Sequence, residues 1–360
     1  MWLDSKRSTR INGTKVLTAK EKLVTTNDKL GLGVIGCGHI ATQRVAQWES
    51  AGKVEIIVGL DPSTPHFERF SGSLAAGPAR AESIDTLLAK FREQLDAVYI
   101  ATPHNCHAFQ AEAALRAGLD VLVEKPMAYS LADARAIEAA ARDTDRVLIV
   151  AFNGSLSPKL RATSDAVRAG KFGRLLAISG HVSENWAGTY AGHWKQEPGI
   201  SGGGFLLDSG SHALNAIVDL AGCGVESVSA VLSEVKPGVE VTASLSGRMR
   251  NGALLALCAC GDTAPPCLGE VTMFCERAVV TVDPWGKRPS TVRRDACSPV
   301  EEVPYGEERE LIDLFTDVRS GRIENPSPIS RNVEFARLWA ATRESASHAG
   351  RPVHVDEMGG

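Results

Sequence analysis

The stretch Val34-Ile35-Gly36-Cys37-Gly38-His39-Ile40-Ala41 is an apolar run that breaks at two glycines and then continues with helical periodicity. Residues 31–35 predict a short buried strand, and residues 39–50 predict a helix because their apolar positions recur on one face. The turn between them reads Gly-x-Gly-x-x-Ala, in which backbone N–H groups at a helix N-terminus can bind a dinucleotide pyrophosphate. The stretch therefore predicts nucleotide binding, although glycines also punctuate many other strand-to-helix turns.

The next predicted strand strengthens this interpretation because it ends in an acidic residue. Asp61 follows the apolar run 54–60 and lies 61 − 38 = 23 positions after Gly38. A carboxylate roughly 20 positions beyond the glycines can accept hydrogen bonds from the adenosine ribose of NAD⁺. Residues 62–64 contain no arginine to bind a 2′-phosphate, and Arg69 is a helical stretch away. We therefore expect NAD⁺ to be preferred over NADP⁺ by at least roughly tenfold, because like charges about 4 Å apart repel.

Composition indicates a globular protein of two domains. The 360 residues are 44% hydrophobic and 23% charged, and the net charge of −4 argues against nucleic acid as the main partner. The eight cysteines form no Cys-x-x-Cys pair and no cluster at zinc-ligand spacing, which favours reduced thiols in a cytoplasmic protein. No stretch of 18 apolar residues occurs, so we expect no membrane helix. Residues 1–29 are basic and predict a disordered leader or a mis-set start, with an organelle address as the alternative.

The order of predicted elements divides the chain near residue 151. Over 30–151, short apolar strands alternate with helices, which predicts a doubly wound parallel sheet of the dinucleotide-binding type. Over 152–360, strand-like runs follow one another closely, which predicts an α+β domain with a large, open-faced, mostly antiparallel sheet. We expect helices over 307–320 and 332–346, the second of which could cross back toward the first domain.

Glu124-Lys125-Pro126 follows a predicted parallel strand, at the sheet edge where open α/β folds bind ligands. Lys125 could donate a hydrogen bond to a substrate oxygen there, or it could be an ordinary surface lysine. The tight turn predicts a cis Lys125–Pro126 peptide bond.

Asp208 and His212 follow the glycine cluster 201–204, and their spacing places them on one face of a helix predicted to run to Ala221. A carboxylate one turn before an imidazole would fix its tautomer and raise its basicity, which suits a proton acceptor from an alcohol. The alternative is a solvated helix face with an incidental pair.

An aromatic group precedes the glycine cluster and comprises Trp186, Tyr190, His193 and Trp194. Aromatic rings can cover the apolar face of a sugar, and packing under a loop is the competing interpretation. His104 and His107 open a helix without a third residue at metal-ligand spacing, so we expect no metal site. We interpret His107 as a positioning residue near the nicotinamide and His104 as exposed.

In order, these motifs resemble the Gfo/Idh/MocA oxidoreductase family, whose members include inositol dehydrogenases and glucose-fructose oxidoreductases. The resemblance rests on Gly36-Cys37-Gly38-His39-Ile40-Ala41, Ala101-Thr102-Pro103 followed by His107, Glu124-Lys125-Pro126, and Ser201-Gly202-Gly203-Gly204 followed by Asp208 and His212. It implies a nicotinamide enzyme that acts on sugars, cyclitols or related polyols. It also implies a homo-oligomer, a dimer or tetramer, that uses the open sheet face for subunit contacts.

The resemblance, together with the sequence patterns above, assigns roles to particular residues. The catalytic group is Lys125, Asp208 and His212. The cofactor-binding residues are Gly36, Gly38, His39, Ile40, Asp61, Thr102, Pro103, His107, Glu124 and Lys125. The substrate-binding residues are Asn153, Trp186, Tyr190, Trp194 and Lys195. Two departures concern the substrate: Phe152-Asn153 is not followed by the arginine found in many members, and Trp194-Lys195 replaces a frequent Trp-Arg.

Three functions follow from this pattern. The first is reversible hydride transfer between NAD⁺ and a hydroxyl of a sugar, cyclitol or polyol. The second retains NAD⁺ but cleaves a glycosidic bond through transient oxidation, as some relatives do. The third is an NAD- and sugar-binding sensor without turnover, against which the complete set Lys125, Asp208 and His212 argues.

Overall fold

The computed structural model describes residues 29–264 and 267–358, so the predicted leader at 1–29 lies almost wholly outside the described residues. Between Leu30 and Val150, the structure has six strands and five α-helices. The strands are β1 Leu30–Ile35, β2 Val54–Leu60, β3 Ala79–Ala81, β4 Ala97–Ile100, β5 Asp120–Val123 and β6 Leu148–Val150. The helices are α1 His39–Ser50, α2 Thr64–Gly72, α3 Ile84–Phe91, α4 His104–Arg116 and α5 Leu131–Thr144.

All six strands pair in parallel in the order β3-β2-β1-β4-β5-β6. Strands β1, β4, β5 and β6 are buried along their whole length, as expected for a sheet covered on both faces. The predicted doubly wound parallel sheet is therefore confirmed. Because all strands run the same way, the turns after β1, β2, β4, β5 and β6 lie along one edge of the sheet.

The described residues from Asn153 onward form nine further strands and seven α-helices. The strands are β7 Leu175–Ser183, β8 Val225–Lys236, β9 Val239–Met249, β10 Leu254–Cys260, β11 Leu268–Cys275, β12 Ala278–Val282, β13 Thr291–Arg293, β14 Glu301–Glu302 and β15 Val353–His354. The helices are α6 Asn153–Leu156, α7 Pro158–Arg168, α8 Trp186–Thr189, α9 Pro198–Ser201, α10 Ser211–Ala221, α11 Leu311–Arg319 and α12 Ile329–Ser347.

These strands form one sheet in the order β14-β13-β12-β11-β7-β10-β9-β8-β15. Only β7 and β10 pair in parallel within it, so the predicted mostly antiparallel sheet is confirmed. Along β10, Leu255 and Leu257 are buried beneath the helices, whereas Leu254 is 53% exposed on the opposite face. The sheet therefore has one covered face and one open face.

The last two helices join the halves. In α12, Val333 and Ala336 pack in the core of the parallel sheet, and Leu338 and Trp339 pack in the core of the second sheet. Helix α12, which the sequence predicted could cross back toward the first domain, therefore packs against both sheets. Helix α11 also returns, because residues such as Phe315 pack beneath the parallel sheet.

Two predicted helices begin later than expected. Helix α10 begins at Ser211 rather than at the glycine cluster, because the N–H groups of Gly204 and Leu207 bind the Glu240 carboxylate. Helix α11 begins at Leu311 rather than at residue 307, because Glu308 pairs with Lys159 and keeps the preceding segment extended.

Candidate active site

The turn after β1 leaves space and free backbone donors where a dinucleotide pyrophosphate would lie. Gly36 has φ +88°, and a Cβ there would lie 2.6 Å from the carbonyl oxygen of Ala101, so only glycine fits. Gly38 faces open space, with no atom within 4 Å of a Cβ placed on it. No side chain caps the N-terminus of α1, which His39 and Ile40 open, so its N–H groups remain available to an anion. These residues fit a bound NAD⁺.

Asp61 lies at the end of β2, as predicted, and both of its carboxylate oxygens accept backbone hydrogen bonds. Oδ2 accepts from Cys37 N–H at 2.8 Å and Oδ1 accepts from Ser63 N–H at 2.8 Å. The carboxylate is therefore fixed against the glycine turn. Arg69 is not the arginine closest to this loop, because β3 pairs with β2 and brings Arg80 to the carbonyl oxygen of Asp61 at 3.1 Å.

His107 connects the two turns on which the nicotinamide half of the cofactor would lie. Its ring is fully buried, with Nδ1 2.8 Å from the Pro126 carbonyl oxygen and Nε2 2.9 Å from the Thr102 carbonyl oxygen. Both ring nitrogens thus face carbonyl oxygens, and the single N–H of the neutral ring can donate to one of them, so His107 connects the turns at Thr102-Pro103 and Lys125-Pro126. Burial lowers the pKa of His107.

Glu124 belongs to a network that sequence patterns did not reveal. Its Oε1 accepts a hydrogen bond from the Tyr99 hydroxyl at 2.7 Å and forms an ion pair with Arg44 at 3.1 Å. The Arg44 guanidinium also donates to Asn153 Oδ1 at 3.2 Å. Asn153, predicted to bind substrate, therefore links α1 to the second domain. Arg44 carries no sequence signal, since only folding brings α1 beside the ends of β5 and β6.

Lys125 reaches from the parallel sheet to the second domain. The Lys125–Pro126 peptide bond is cis, as predicted. Lys125 Nζ donates to Asp208 twice, to Oδ1 at 2.8 Å and to the carbonyl oxygen at 2.9 Å. An ammonium has three donors, so one N–H remains for a substrate oxygen. The alternative of an ordinary surface lysine is wrong, because its side chain is only 17% exposed and paired.

Asp208 is the centre of the polar cluster and binds three donors. Besides Lys125, its Oδ2 accepts from Lys195 Nζ at 2.7 Å and from the indole N–H of Trp186 at 2.8 Å. Burial acts to raise the pKa of Asp208, but Lys125 and Lys195 hold it well below the usual range. Burial likewise opposes the charge on Lys195, and the Asp208 carboxylate outweighs it and raises the pKa of that lysine. The cluster therefore contains two ammonium groups and one carboxylate.

His212 is held by aromatic rings rather than by the Asp208 carboxylate, which corrects the predicted pair. Asp208 precedes α10 and turns toward the lysines, so the two residues do not share a helical face. The His212 ring lies 5.6 Å from the ring of Phe152 and 5.6 Å from that of Trp285. Its buried Nδ1 has no hydrogen-bond partner among the residues that the structure describes. Burial, assisted by Lys125, lowers the pKa of His212 well below its usual value.

The polar stripe of α10 is not a solvated helix face. His212, Asn215 and Asp219 are all buried, Asn215 accepts a hydrogen bond from Ser155, and Asp219 pairs with Arg161. The stripe is therefore internal.

The aromatic group divides between core and cleft. Trp186 is fully buried, so the prediction that its ring binds substrate is wrong, and it acts through its hydrogen bond to Asp208. Tyr190 packs under the Lys195 ammonium, 4.0 Å from the ring centroid, and Trp194 is half-buried. His104 is buried against Trp194 rather than exposed, and its Nδ1 lies 2.8 Å from the Ser201 carbonyl oxygen.

Within residues 29–264 and 267–358, no group of three His, Cys, Asp or Glu side chains could hold a metal ion. None of the helices described there is long and apolar enough to cross a membrane.

Two family models match this chain and together cover both domains. Residues 30–152 match an oxidoreductase family with an NAD-binding Rossmann fold, and residues 160–281 match the GFO/IDH/MocA C-terminal domain. The chain belongs to the Gfo/Idh/MocA oxidoreductase family. The predicted resemblance is therefore confirmed, and the parallel sheet is the family's NAD-binding domain.

Curated Gfo/Idh/MocA relatives match about half of the chain. A 1-carboxy-3-chloro-3,4-dihydroxycyclohexa-1,5-diene dehydrogenase from Comamonas testosteroni is 30% identical over 56% of this chain and 50% of its own length. A levoglucosan dehydrogenase from Pseudarthrobacter phenanthrenivorans is 31% identical over 44% of this chain and 43% of its own length. The chain thus spans about half the length of the curated relatives it matches.

Solved structures extend the likeness in fold to nearly the whole chain. A levoglucosan dehydrogenase in complex with NADH and L-sorbose has a TM-score of 0.80 at 19% identity, covering 92% of this chain and 100% of its own. The WlbA dehydrogenase from Bordetella pertussis, in complex with NADH and UDP-GlcNAcA, has a TM-score of 0.77 at 22% identity, covering 91% and 98%. At these identities the match describes the fold.

Proposed function

We propose that this protein is an NAD-dependent dehydrogenase that transfers a hydride between the nicotinamide and a hydroxyl-bearing carbon of a sugar, cyclitol or related polyol. The observation that carries the proposal is the Lys125–Asp208 ion pair, which joins the turn after β5 to the second domain, together with the His212 ring that burial keeps neutral. Relatives at about 30% identity include a levoglucosan dehydrogenase, a D-apiose dehydrogenase and a 1,5-anhydro-D-fructose reductase, which supports the substrate class.

Each member of the group has a distinct task in this proposal. His212 accepts the hydroxyl proton, because burial keeps its ring neutral and a neutral imidazole has one nitrogen that can accept a proton. Lys125 donates its third N–H to the developing alkoxide. Asp208 orients Lys125 and Lys195 and compensates one of their two charges. NAD⁺, bound at the Gly36–Gly38 turn, supplies the hydride acceptor.

The walls of the cleft suit a polyol. Tyr190 and Trp194 present aromatic surface beside Lys195, and such rings cover the C–H face of a sugar while donors meet its hydroxyls. Asn153 has its amide nitrogen available, since its Oδ1 is used by Arg44. These contacts therefore support the substrate class, a sugar or related polyol.

Absorbance at 340 nm with NAD⁺ and a panel of sugars, cyclitols and sugar acids tests the proposal. We expect net NADH formation with at least one panel member, and a loss of about 10²–10⁴ in kcat for His212→Ala. An aryl glycoside panel is the second arm. Release of the aglycone without net NADH would replace the proposal by glycosidic cleavage through transient oxidation. Binding without either product would indicate a sensor.

The open sheet face supports the further proposal of a homo-oligomer. Val231, Leu254, Leu268 and Phe274 are between 42% and 64% exposed on strands β8, β10 and β11. Apolar side chains gathered on one face of a sheet favour contact with another protein surface. A cytoplasmic location also belongs to the proposal, and the eight free cysteines support it.

A further inference from the structure

The loop after β2 is covered by an arginine from the neighbouring strand. Gly59 and Arg80 are aligned in the parallel pair β2–β3, which places the Arg80 side chain beside the end of β2. The guanidinium donates to the Asp61 carbonyl oxygen at 3.1 Å and to Thr64 Oγ1 at 3.1 Å. It also lies 5.1 Å from the centroid of the Phe67 ring. These contacts hold the guanidinium at the edge of the nucleotide turn.

In the described part of the chain, no carboxylate forms an ion pair with Arg80. Within the described ranges, no Asp or Glu oxygen lies at ion-pair distance from its guanidinium, and its side chain is exposed. Arginine carries five N–H donors, and the two hydrogen bonds to Asp61 and Thr64 leave three for a ligand. Its charge also reaches the turn itself: burial raises the pKa of the Cys37 thiol to about 12, Asp61 adds to this, and Arg80 opposes it.

The Asp61 carboxylate beside Arg80 repels a phosphate less than a carboxylate without hydrogen bonds would. Oδ1 and Oδ2 of Asp61 accept hydrogen bonds from Ser63 N–H and Cys37 N–H, and these donors stabilise its charge. His66 lies further out, with its Nδ1 3.8 Å from Oδ1 of Asp61 and half of its side chain exposed. A phosphate arriving near Asp61 would therefore meet the Arg80 guanidinium and the His66 imidazole together with the carboxylate.

From this arrangement we infer that the cofactor site accepts the 2′-phosphate of NADP⁺, and that Arg80 determines this specificity. A guanidinium binds a phosphate with two parallel hydrogen bonds, and an arginine near the ribose is the usual means of accommodating the 2′-phosphate. Because the guanidinium and the carboxylate are both held at this loop, the attraction of a phosphate to Arg80 offsets its repulsion from Asp61. NADP⁺ therefore binds with a Kd within about tenfold of that for NAD⁺.

The inference concerns the adenosine end of the cofactor and does not rest on the proposed reaction. Calorimetric titration of the full chain with 2′,5′-ADP and with 5′-AMP isolates that end, because neither ligand contains a nicotinamide. Titrations with NADP⁺ and NAD⁺ repeat the comparison with the whole cofactors. Low ionic strength keeps screening of the exposed guanidinium small.

We expect the Kd values of the wild-type protein for 2′,5′-ADP and for 5′-AMP to agree within about tenfold. Arg80→Gln should raise the ratio of the 2′,5′-ADP Kd to the 5′-AMP Kd by at least about tenfold, and Arg80→Lys should raise it less, since it keeps the charge but loses the fork. Arg69→Gln is the matched control: it removes one exposed positive charge from α2 without touching the loop, so the ratio stays unchanged.

Two results would overturn the inference. One is wild-type discrimination against 2′,5′-ADP by more than tenfold, which restores Asp61 as the dominant determinant. The other is a ratio of the 2′,5′-ADP Kd to the 5′-AMP Kd that changes no more in Arg80→Gln than in Arg69→Gln. Binding of 5′-AMP by each variant reports that its nucleotide site is folded, and Arg80→Lys serves for the comparison if Arg80→Gln does not bind 5′-AMP.

Discussion

At His212, the imidazole packs between Phe152 and Trp285, and its Nδ1 has no hydrogen-bond partner in the described part of the chain. Packing thus orients the ring, and burial keeps it neutral. The positive charge of Lys125 also disfavours protonation of the ring. This arrangement suits a base that must be unprotonated before an alcohol binds. It differs from a carboxylate-bound histidine, whose pKa would be raised.

The pH dependence of oxidation tests this difference. Because burial lowers the folded-state pKa of His212 well below its ordinary value, the neutral ring persists as the pH falls through about 6.5. We expect kcat/KM for oxidation to show no inflection near pH 6.5, with the acid limb displaced to lower pH. An inflection near 6.5 that disappears in His212→Asn would contradict the lowered pKa.

At the scale of elements, Gly38 and Gly204 have different roles, and substitution of each can distinguish them. Gly38 opens α1 with φ −72°, which alanine can adopt, and a Cβ there meets nothing within 4 Å. Gly204 lies against β9, where a Cβ would be 2.1 Å from the Glu240 carbonyl oxygen. The first glycine leaves room for a ligand, and the second allows two parts of the protein to approach.

We therefore expect Gly38→Ala to leave the melting temperature of the cofactor-free protein unchanged while weakening NAD⁺ binding by about tenfold or more. Gly204→Ala should lower the free energy of unfolding by roughly 1–3 kcal/mol and reduce kcat, since Asp208 follows the same loop. Calorimetry and NAD⁺ titration of both variants give the comparison. Equal melting losses in the two variants, or unchanged NAD⁺ affinity in Gly38→Ala, would contradict this division.

The elements also show what the sequence could predict. Periodicity located α3, α5 and the long strands closely, because each buries one continuous apolar pattern. The starts of α10 and α11 could not be read in the same way, because they depend on distant partners such as Glu240 and Lys159. Likewise, the sequence predicted Lys125 and Asp208 as site residues, with His212 as the partner of Asp208. In the structure three other residues donate to that carboxylate, namely Lys125, Trp186 and Lys195. Arg80 was missed because strand pairing, not sequence distance, brings it to Asp61.

At the scale of the whole molecule, the open face of the nine-stranded sheet is the expected subunit contact. Leu254→Glu combined with Phe274→Glu places two charges on that face, where both side chains are more than 40% exposed and so do not support the core. We expect light scattering during gel filtration to show a smaller assembly than the wild type. Phe109→Glu, on exposed α4, is the control that should keep the wild-type mass. A wild-type monomer would contradict the proposed contact.

The two halves of the molecule meet where the reaction is proposed, since Lys125 comes from the parallel sheet and Asp208 and His212 from the second domain. The link through Arg44 and Asn153, and the helix α12 shared by both cores, hold these halves together. In the proposed mechanism, catalysis therefore depends on the correct contact between the domains, with His212 as the proton acceptor.

Chemical rescue in a single turnover tests that central claim most directly. With a substrate found by the panel, NADH absorbance is followed in the wild type, in His212→Ala, and in His212→Ala with added imidazole. The account predicts a rate lowered by about 10²–10⁴ in the variant, unchanged NAD⁺ affinity, and partial recovery that increases with the concentration of neutral imidazole. A single-turnover rate in His212→Ala equal to that of the wild type would contradict it.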